Sequence, residues 1–215
     1  MKKVAVVLSG NGVFDGAEIH EATLTLYSIV KNGATYEIFA PNIDQHHVIN
    51  HITGEEMAEK RNVLVESARI ARGKISNLAD FKAFDFDALI FPGGFGVAKN
   101  LCSFAFDGTE CKLNLDVEKA IRSMIELQKP IGALCIAPVL LAKILGDVKI
   151  TIGQDKSTAN AVKSMGANHQ DTTHGEIIID NKNKIVTTPC YMLDANIGQI
   201  GDGANNLVKA VLDLI

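Results

Sequence analysis

The chain has 215 residues, 47% of them hydrophobic and 21% charged, which is enough apolar material to bury a core within a single domain spanning residues 1–215. A formal net charge of −4 argues against the basic face that a nucleic-acid partner calls for. Glycine and proline are scattered singly, with no linker, low-complexity tract or internal repeat.

In chain order, Met1-Lys2-Lys3 runs straight into the apolar stretch Val4-Ala5-Val6-Val7-Leu8. That stretch is too short for a membrane span and lacks the cleavage pattern of a signal peptide, so a buried first strand (3–8) in a cytosolic protein is expected. A helix over 17–32, a strand over 35–40, a helix over 61–71 and a strand over 88–91 follow. Next come a helix over 115–128, a strand over 131–134 and a helix over 136–145. The chain closes with a strand over 149–152, a helix over 157–165, strands over 175–179 and 185–188, and a helix over 194–214. Strands that are apolar at every position suit a parallel sheet covered on both faces. Their alternation with helices predicts an α/β three-layer sandwich with a mostly parallel, flavodoxin-like sheet. Such sheets place ligands beyond the carboxyl ends of their strands.

Three loops stand at such ends. The first, Ser9 to Gly16, has glycines spaced GxGxxxG, longer than a dinucleotide fingerprint, and strand 35–40 ends without the acidic residue such a site needs. The helix after it carries Glu18 and Glu21; Glu18 reads as a first-turn acid complementing the helix dipole, whereas Glu21 sits among Ala22, Leu24 and Leu26, where a structural role is less natural. The second loop, Phe91-Pro92-Gly93-Gly94-Phe95-Gly96, has consecutive glycines whose N–H groups can face an oxyanion. In the third, Gly132-Ala133-Leu134-Cys135-Ile136-Ala137-Pro138, a strand ends at a cysteine and a helix begins with Pro138 in its first turn. A thiol there faces the positive end of a helix dipole, which favours thiolate and nucleophilicity; burial as a small hydrophobe is the alternative.

The segments SGNGVFDGAEIHE (9–21), FPGGFG (91–96), GALCIAP (132–138), THGEI (173–177) and TTPCYMLDANI (187–197) together resemble the ElbB proteins, also called enhancing lycopene biosynthesis proteins or isoprenoid biosynthesis glyoxalases. These belong to the PfpI/ThiJ-like superfamily, whose fold is class I glutamine amidotransferase-like. The resemblance spans essentially the whole chain. It implies Cys135 as nucleophile and Glu21 as the carboxyl bonded to its sulfur, with backbone N–H groups of Gly93, Gly94 and Ile136 holding the oxyanion and Asn11 and Gly12 beside the substrate. It implies a glyoxalase that takes a small dicarbonyl substrate to the 2-hydroxy acid with no cofactor and no metal, in a cytoplasmic homodimer. Protease-like members carry histidine directly after the cysteine, where this chain has Ile136. Of the late histidines His169 and His174, His174 stands just before a strand and is the candidate for the pocket, a surface or strand-cap role being the alternative.

The other cysteines, Cys102, Cys111 and Cys190, form no CxxC pair, and Cys190 reads as buried near a strand end. His46, His47 and His51 cluster without a carboxylate or cysteine to complete a metal set. Asn196 and Asp194 read as caps of the last helix. Three further readings compete with the glyoxalase: an amidase or peptidase, which needs a base at the cysteine; a redox or stress sensor that oxidises Cys135; and an accessory protein of isoprenoid metabolism.

Overall fold

The computed structural model describes residues 1–215. Its elements are β1 (Lys3–Val7), α1 (Ile19–Lys31), β2 (Thr35–Ala40), α2 (Val63–Ile70), β3 (Ser76–Asn77), β4 (Ala88–Phe91), α3 (Phe104–Asp107), α4 (Leu115–Glu126) and β5 (Ile131–Leu134), then α5 (Pro138–Leu145), β6 (Lys149–Ile150), α6 (Lys156–Ser164), β7 (Asn168–His169), β8 (Ile178–Asp180), β9 (Ile185–Thr188) and α7 (Ile197–Asp213). The main sheet has seven strands in the order β3-β2-β1-β4-β5-β9-β8, parallel throughout except for the antiparallel β8–β9 pair. No helix is long and apolar enough to cross a membrane.

Period-two alternation explains why the central strands β4, β5 and β9 are buried at every position, their side chains entering the two cores in turn. Val4, Val6 and Leu8 join one core with Ile38, Ile90 and Val186, under Ala22, Leu26 and Ile29 of α1 and Ile200, Ala204, Leu207 and Val211 of α7. Ala5 and Val7 join the other with Leu89, Phe91, Ile131 and Ile185, under Val117, Ile121 and Met124 of α4 and Val139 to Ala142 of α5. The result is the expected three-layer class I amidotransferase-like sandwich.

Strand β1 pairs with β2 on one side and β4 on the other, so the order of strands reverses between β1 and β4. All central strands point the same way, and the loops after β1, β4, β5 and β9 therefore gather at one edge. The expected strand over 149–152 is cut to β6 and leaves the main sheet to pair with β7, forming a separate two-stranded ribbon. The strand expected over 175–179 starts only at Ile178, because the Thr173 N–H donates to Glu176 Oε2 at 2.6 Å and ties residues 173–176 into a turn. Helix α7 begins after Asn196, whose side chain accepts from Gln199 N–H in a reciprocal capping box, so Asn196 caps the helix and Asp194 lies outside it.

Close packing of α7 on the sheet needs a strand residue without a side chain. A Cβ on Gly132 would lie 2.8 Å from Leu207 Cδ2 and 3.1 Å from Val211 Cγ2. Gly132→Ala is therefore expected to lower stability by about 1–3 kcal/mol through overpacking, and Leu207→Ala by about 2–5 kcal/mol through a cavity. The double variant should cost less than the sum in denaturant titrations, since each change relieves the other.

Candidate active site

Cys135 follows β5 at the expected elbow, with φ +59° in the left-handed region, which costs a non-glycine residue on the order of 1–2 kcal/mol. The chain holds it there: the Cys135 N–H donates to Thr188 O of β9 at 2.9 Å, and the Ala137 N–H donates back to Leu134 O at 2.9 Å before Pro138 opens α5. The sulfur lies against the loop after β4, where a Cβ on Gly93 would come within 3.0 Å of it.

Glu21, in the first turn of α1, is fully buried. Its Oε2 accepts from Gly93 N–H at 3.0 Å and its Oε1 from Tyr191 N–H at 3.1 Å. Its carboxyl lies beside the Cys135 thiol, both bordering Gly93. Gly93 makes this possible: a Cβ there would run into Cys135 Cβ and lie 2.5 Å from Glu21 Oε2 and 3.0 Å from Cys135 Sγ. Cys190, at φ +42°, turns the chain after β9 so that the next N–H, that of Tyr191, meets Glu21. Cys190 itself is buried in the core, as read from the sequence.

Loops one and two are locked together by backbone. The Glu18 N–H donates to Gly93 O at 3.0 Å, Phe95 N–H to Val13 O at 2.8 Å and Gly96 N–H to Gly16 O at 2.9 Å. Asn100 Nδ2, in the π-helical turn Val97–Leu101, adds bonds to Ser9 O and Asp15 O, both at 2.9 Å. Glu18 is the N-cap of α1 and accepts from Glu21 N–H at 2.7 Å, the helix-start role read from the sequence.

Burial is the first cause that raises Glu21 from an ordinary 4.5 to about 8, and the negative charge of Glu18 adds to it; the N–H bonds of Tyr191 and Gly93 and the Cys135 thiol oppose it. Burial also pushes the Cys135 thiol well above its ordinary value, with the charge of Glu21 second, while N–H groups of Gly94 and Ile136 pull it down. The thiolate expected from the helix dipole is thus corrected: desolvation outweighs the dipole, and α5 begins only at Pro138. The resting pair is a thiol beside a neutral carboxyl at neutral pH.

Above the thiol lies a cavity of about 420 Å³ reached by Cys135, Gly94 and Ile136. A larger hollow of about 750 Å³ runs along Glu37, Arg72 and Lys74, and no cysteine lines it. Three sequence expectations are corrected. Gly93 donates its N–H to Glu21, not to an oxyanion, leaving Gly94 and Ile136 as the N–H groups at the sulfur. Asn11 and Gly12 do not line the cavity, because Gly12 packs against His51 and the loop closes on itself through Gly12 N–H to Ala17 O; Val13 lines it instead. His174 is exposed on the turn before β8, which Asn206 of α7 holds through Gly175 O, and it does not reach the cavity.

Sequence reasoning missed Tyr191, Phe104, Asp155 and Thr158, which complete the walls. Tyr191 follows a strand end, the signal that marked the other loops, and its hydroxyl is bonded to His20 Nδ1 at 2.8 Å. Nothing local marks Phe104 or Asp155. Cys102 and Cys111 are buried free thiols, that of Cys102 donating to Val97 O at 3.3 Å, and they flank the segment that brings in Phe104 and Ala105. His46 and His47 pack on Phe106, whereas His51 packs on Phe14, so the three do not converge.

No protein-family model matches the sequence. The rat ES1 protein homolog, mitochondrial, is 50% identical over 222 residues, spanning 99% of this chain and 84% of that protein. The chain belongs to the ES1 family. Another relative, human glutamine amidotransferase-like class 1 domain-containing protein 3, mitochondrial, is 49% identical over 222 residues, spanning 99% of this chain and 83% of that protein. Among solved structures, an isoprenoid biosynthesis protein with an amidotransferase-like domain from Ehrlichia chaffeensis matches with a TM-score of 0.92 at 33% identity, over 99% of this chain and 100% of that one. Glyoxalase III of Candida albicans shares the fold alone, with a TM-score of 0.64 at 15% identity over 100% and 97% of the two chains. For this ES1-family chain the likenesses support the wider amidotransferase-like superfamily and do not single out ElbB. They overturn the cytosolic expectation: the rat, human and zebrafish ES1-family relatives are each named mitochondrial. The run Val4–Leu8 is buried in the core.

The buried carboxyl has a consequence for stability. Its folded pKa of about 8 exceeds the unfolded 4.5, so its contribution is fully present below about 4.5 and is lost as pH rises to about 8. Glu21→Gln, which cannot ionise, is expected to flatten the fall in unfolding free energy across that window, measured by denaturant titration at a series of pH values against wild type.

Proposed function

We propose that this protein is a thiol-dependent glyoxalase that converts 2-oxoaldehydes, glyoxal being the smallest, to 2-hydroxy acids. The observation that carries the reading is a buried carboxyl near neutrality beside a buried elbow thiol, with N–H groups of Gly94 and Ile136 at the sulfur. Neither N–H has an acceptor elsewhere in the protein, so both are available to an oxyanion.

Ionised Glu21 takes the thiol proton as sulfur bonds to the aldehyde carbon, and the new oxyanion rests on Gly94 and Ile136 until Glu21 returns the proton. Glu21 then removes the hydrogen on that carbon as a proton, giving an enediol, and a proton is delivered to the neighbouring carbon. The first carbon is thereby oxidised to a thioester and the second reduced to an alcohol, with no outside oxidant. Water cleaves the C–S bond, releasing the 2-hydroxy acid and restoring the thiol.

Amide hydrolysis fits less well, since the leaving amine must be protonated and no histidine lines the cavity. A redox sensor needs a thiolate, which burial and Glu21 oppose. The glyoxalase reading is also in keeping with the fold shared with glyoxalase III of Candida albicans.

Freshly reduced, metal-stripped protein should convert glyoxal to glycolate, and Cys135→Ala should abolish turnover. Glu21→Gln should lower kcat/KM by roughly 10²–10⁴-fold. Because Glu21 must be ionised to accept the thiol proton, wild-type kcat/KM should rise with pH through about 8, and the rise should be absent from Glu21→Gln. Full activity in Cys135→Ala ends the proposal.

A further inference from the structure

The cavity above Cys135 is far larger than the smallest substrate the chemistry allows. Glyoxal has the bulk of about two or three waters at ~30 Å³ each, whereas the cavity measures about 420 Å³. Pockets of roughly 300–1,000 Å³ hold ligands of drug-like size. Nine of its thirteen lining residues are hydrophobic. Phe104, Val13, Ile136 and Met192 contribute to these walls, and Phe95, half exposed, is among them. Backbone chemistry at the sulfur needs none of these side chains.

The charged residues in the lining are of one sign. Glu18 and Asp155 are both acidic, and no lysine, arginine or histidine lines the cavity. Asp155 accepts from Thr158 N–H at 2.7 Å, and that bond, first among the causes, lowers its pKa, so it is ionised at neutral pH. A carboxylate or phosphate group on a ligand would enter without a counter-charge and against two acids.

We infer that the preferred substrate is an aldehyde with an uncharged apolar body, aryl or branched alkyl, and that the site discriminates against small dialdehydes and against anionic aldehydes. This rests on the proposed addition of Cys135 to an aldehyde. The apolar walls select for bulk, and Glu18 with Asp155 selects against negative charge. Phe104 and Asp155 are the specificity-determining residues, acting on the body of the substrate away from the reacting carbon.

Two measurements keep this inference separable from the glyoxalase reading. The first compares turnover of phenylglyoxal to mandelate with turnover of glyoxal to glycolate; kcat/KM is expected to favour phenylglyoxal by about tenfold or more. The second needs no turnover. Benzaldehyde, acetaldehyde and 4-carboxybenzaldehyde can each form a reversible thiohemiacetal, the S–H adding across the carbonyl, and lack the neighbouring carbonyl for further reaction. Protection of Cys135 from iodoacetamide, read by mass spectrometry, is expected at the lowest concentration for benzaldehyde. Phe104→Ala should shrink the advantage of benzaldehyde over acetaldehyde. Asp155→Asn, which keeps a good helix cap, should bring 4-carboxybenzaldehyde closer to benzaldehyde. Protection by benzaldehyde without turnover of any 2-oxoaldehyde would sink the glyoxalase reading and leave the ligand class standing. Equal protection by all three aldehydes, or glyoxal turned over as well as phenylglyoxal, would overturn the inference.

Discussion

A carboxyl group with no solvent exposure is an expensive thing to bury, and the arrangement around Glu21 follows from keeping it satisfied. One oxygen takes an N–H from the loop after β4, the other an N–H from the loop after β9, and the carboxyl reaches a thiol on the loop after β5. The acid itself arrives on the helix after β1. Four strand ends thus meet on one side chain, and a parallel sheet whose order reverses beside β1 is what brings them together. Removing the side chain at residue 93 is a geometric condition of that meeting, since any Cβ would occupy the space between the acid and the sulfur.

The same burial sets the chemistry. Water cannot screen the pair, so neither group ionises readily, and the acid's pKa moves to about 8. A nucleophile kept as thiol until a neighbouring carboxylate takes its proton is suited to aldehydes, whose carbonyl carbon accepts sulfur without a leaving group to protonate. In the proposed reaction the acid exchanges protons between adjacent carbons from a fixed position. The backbone N–H groups of Gly94 and Ile136 face the sulfur in the folded chain, and in the proposed reaction they would meet an oxyanion without reorganisation.

Much of this could be read along the chain. Continuous apolar strands indicated a sheet covered on both faces, and the cysteine between an apolar strand and a proline-led helix indicated the elbow. Glu21 stood out as an acid within an apolar helical stretch, and the fold buries it completely. The departures come from distant contacts. The position of His174 just before a strand suggests the pocket, but a turn tied by Glu176 holds it outside; the resemblance puts Asn11 and Gly12 beside the substrate, but His51 occupies the space beside Gly12. The protonation state of Cys135 was read from the helix dipole, a local effect, whereas burial by distant segments decides it.

By itself, the sequence determined what is local or periodic: the α/β class, the two-sided strands, the strand-to-helix elbow in outline and the candidate acid and thiol. Tertiary structure decided what depends on segments far apart in the chain. It assigned Gly93 to the acid rather than to an oxyanion, brought in Tyr191, Phe104 and Asp155, and raised both pKa values. The reason is physical: periodicity and turn preference act over a few residues, but desolvation and cavity shape are sums over neighbours that only the folded chain assembles.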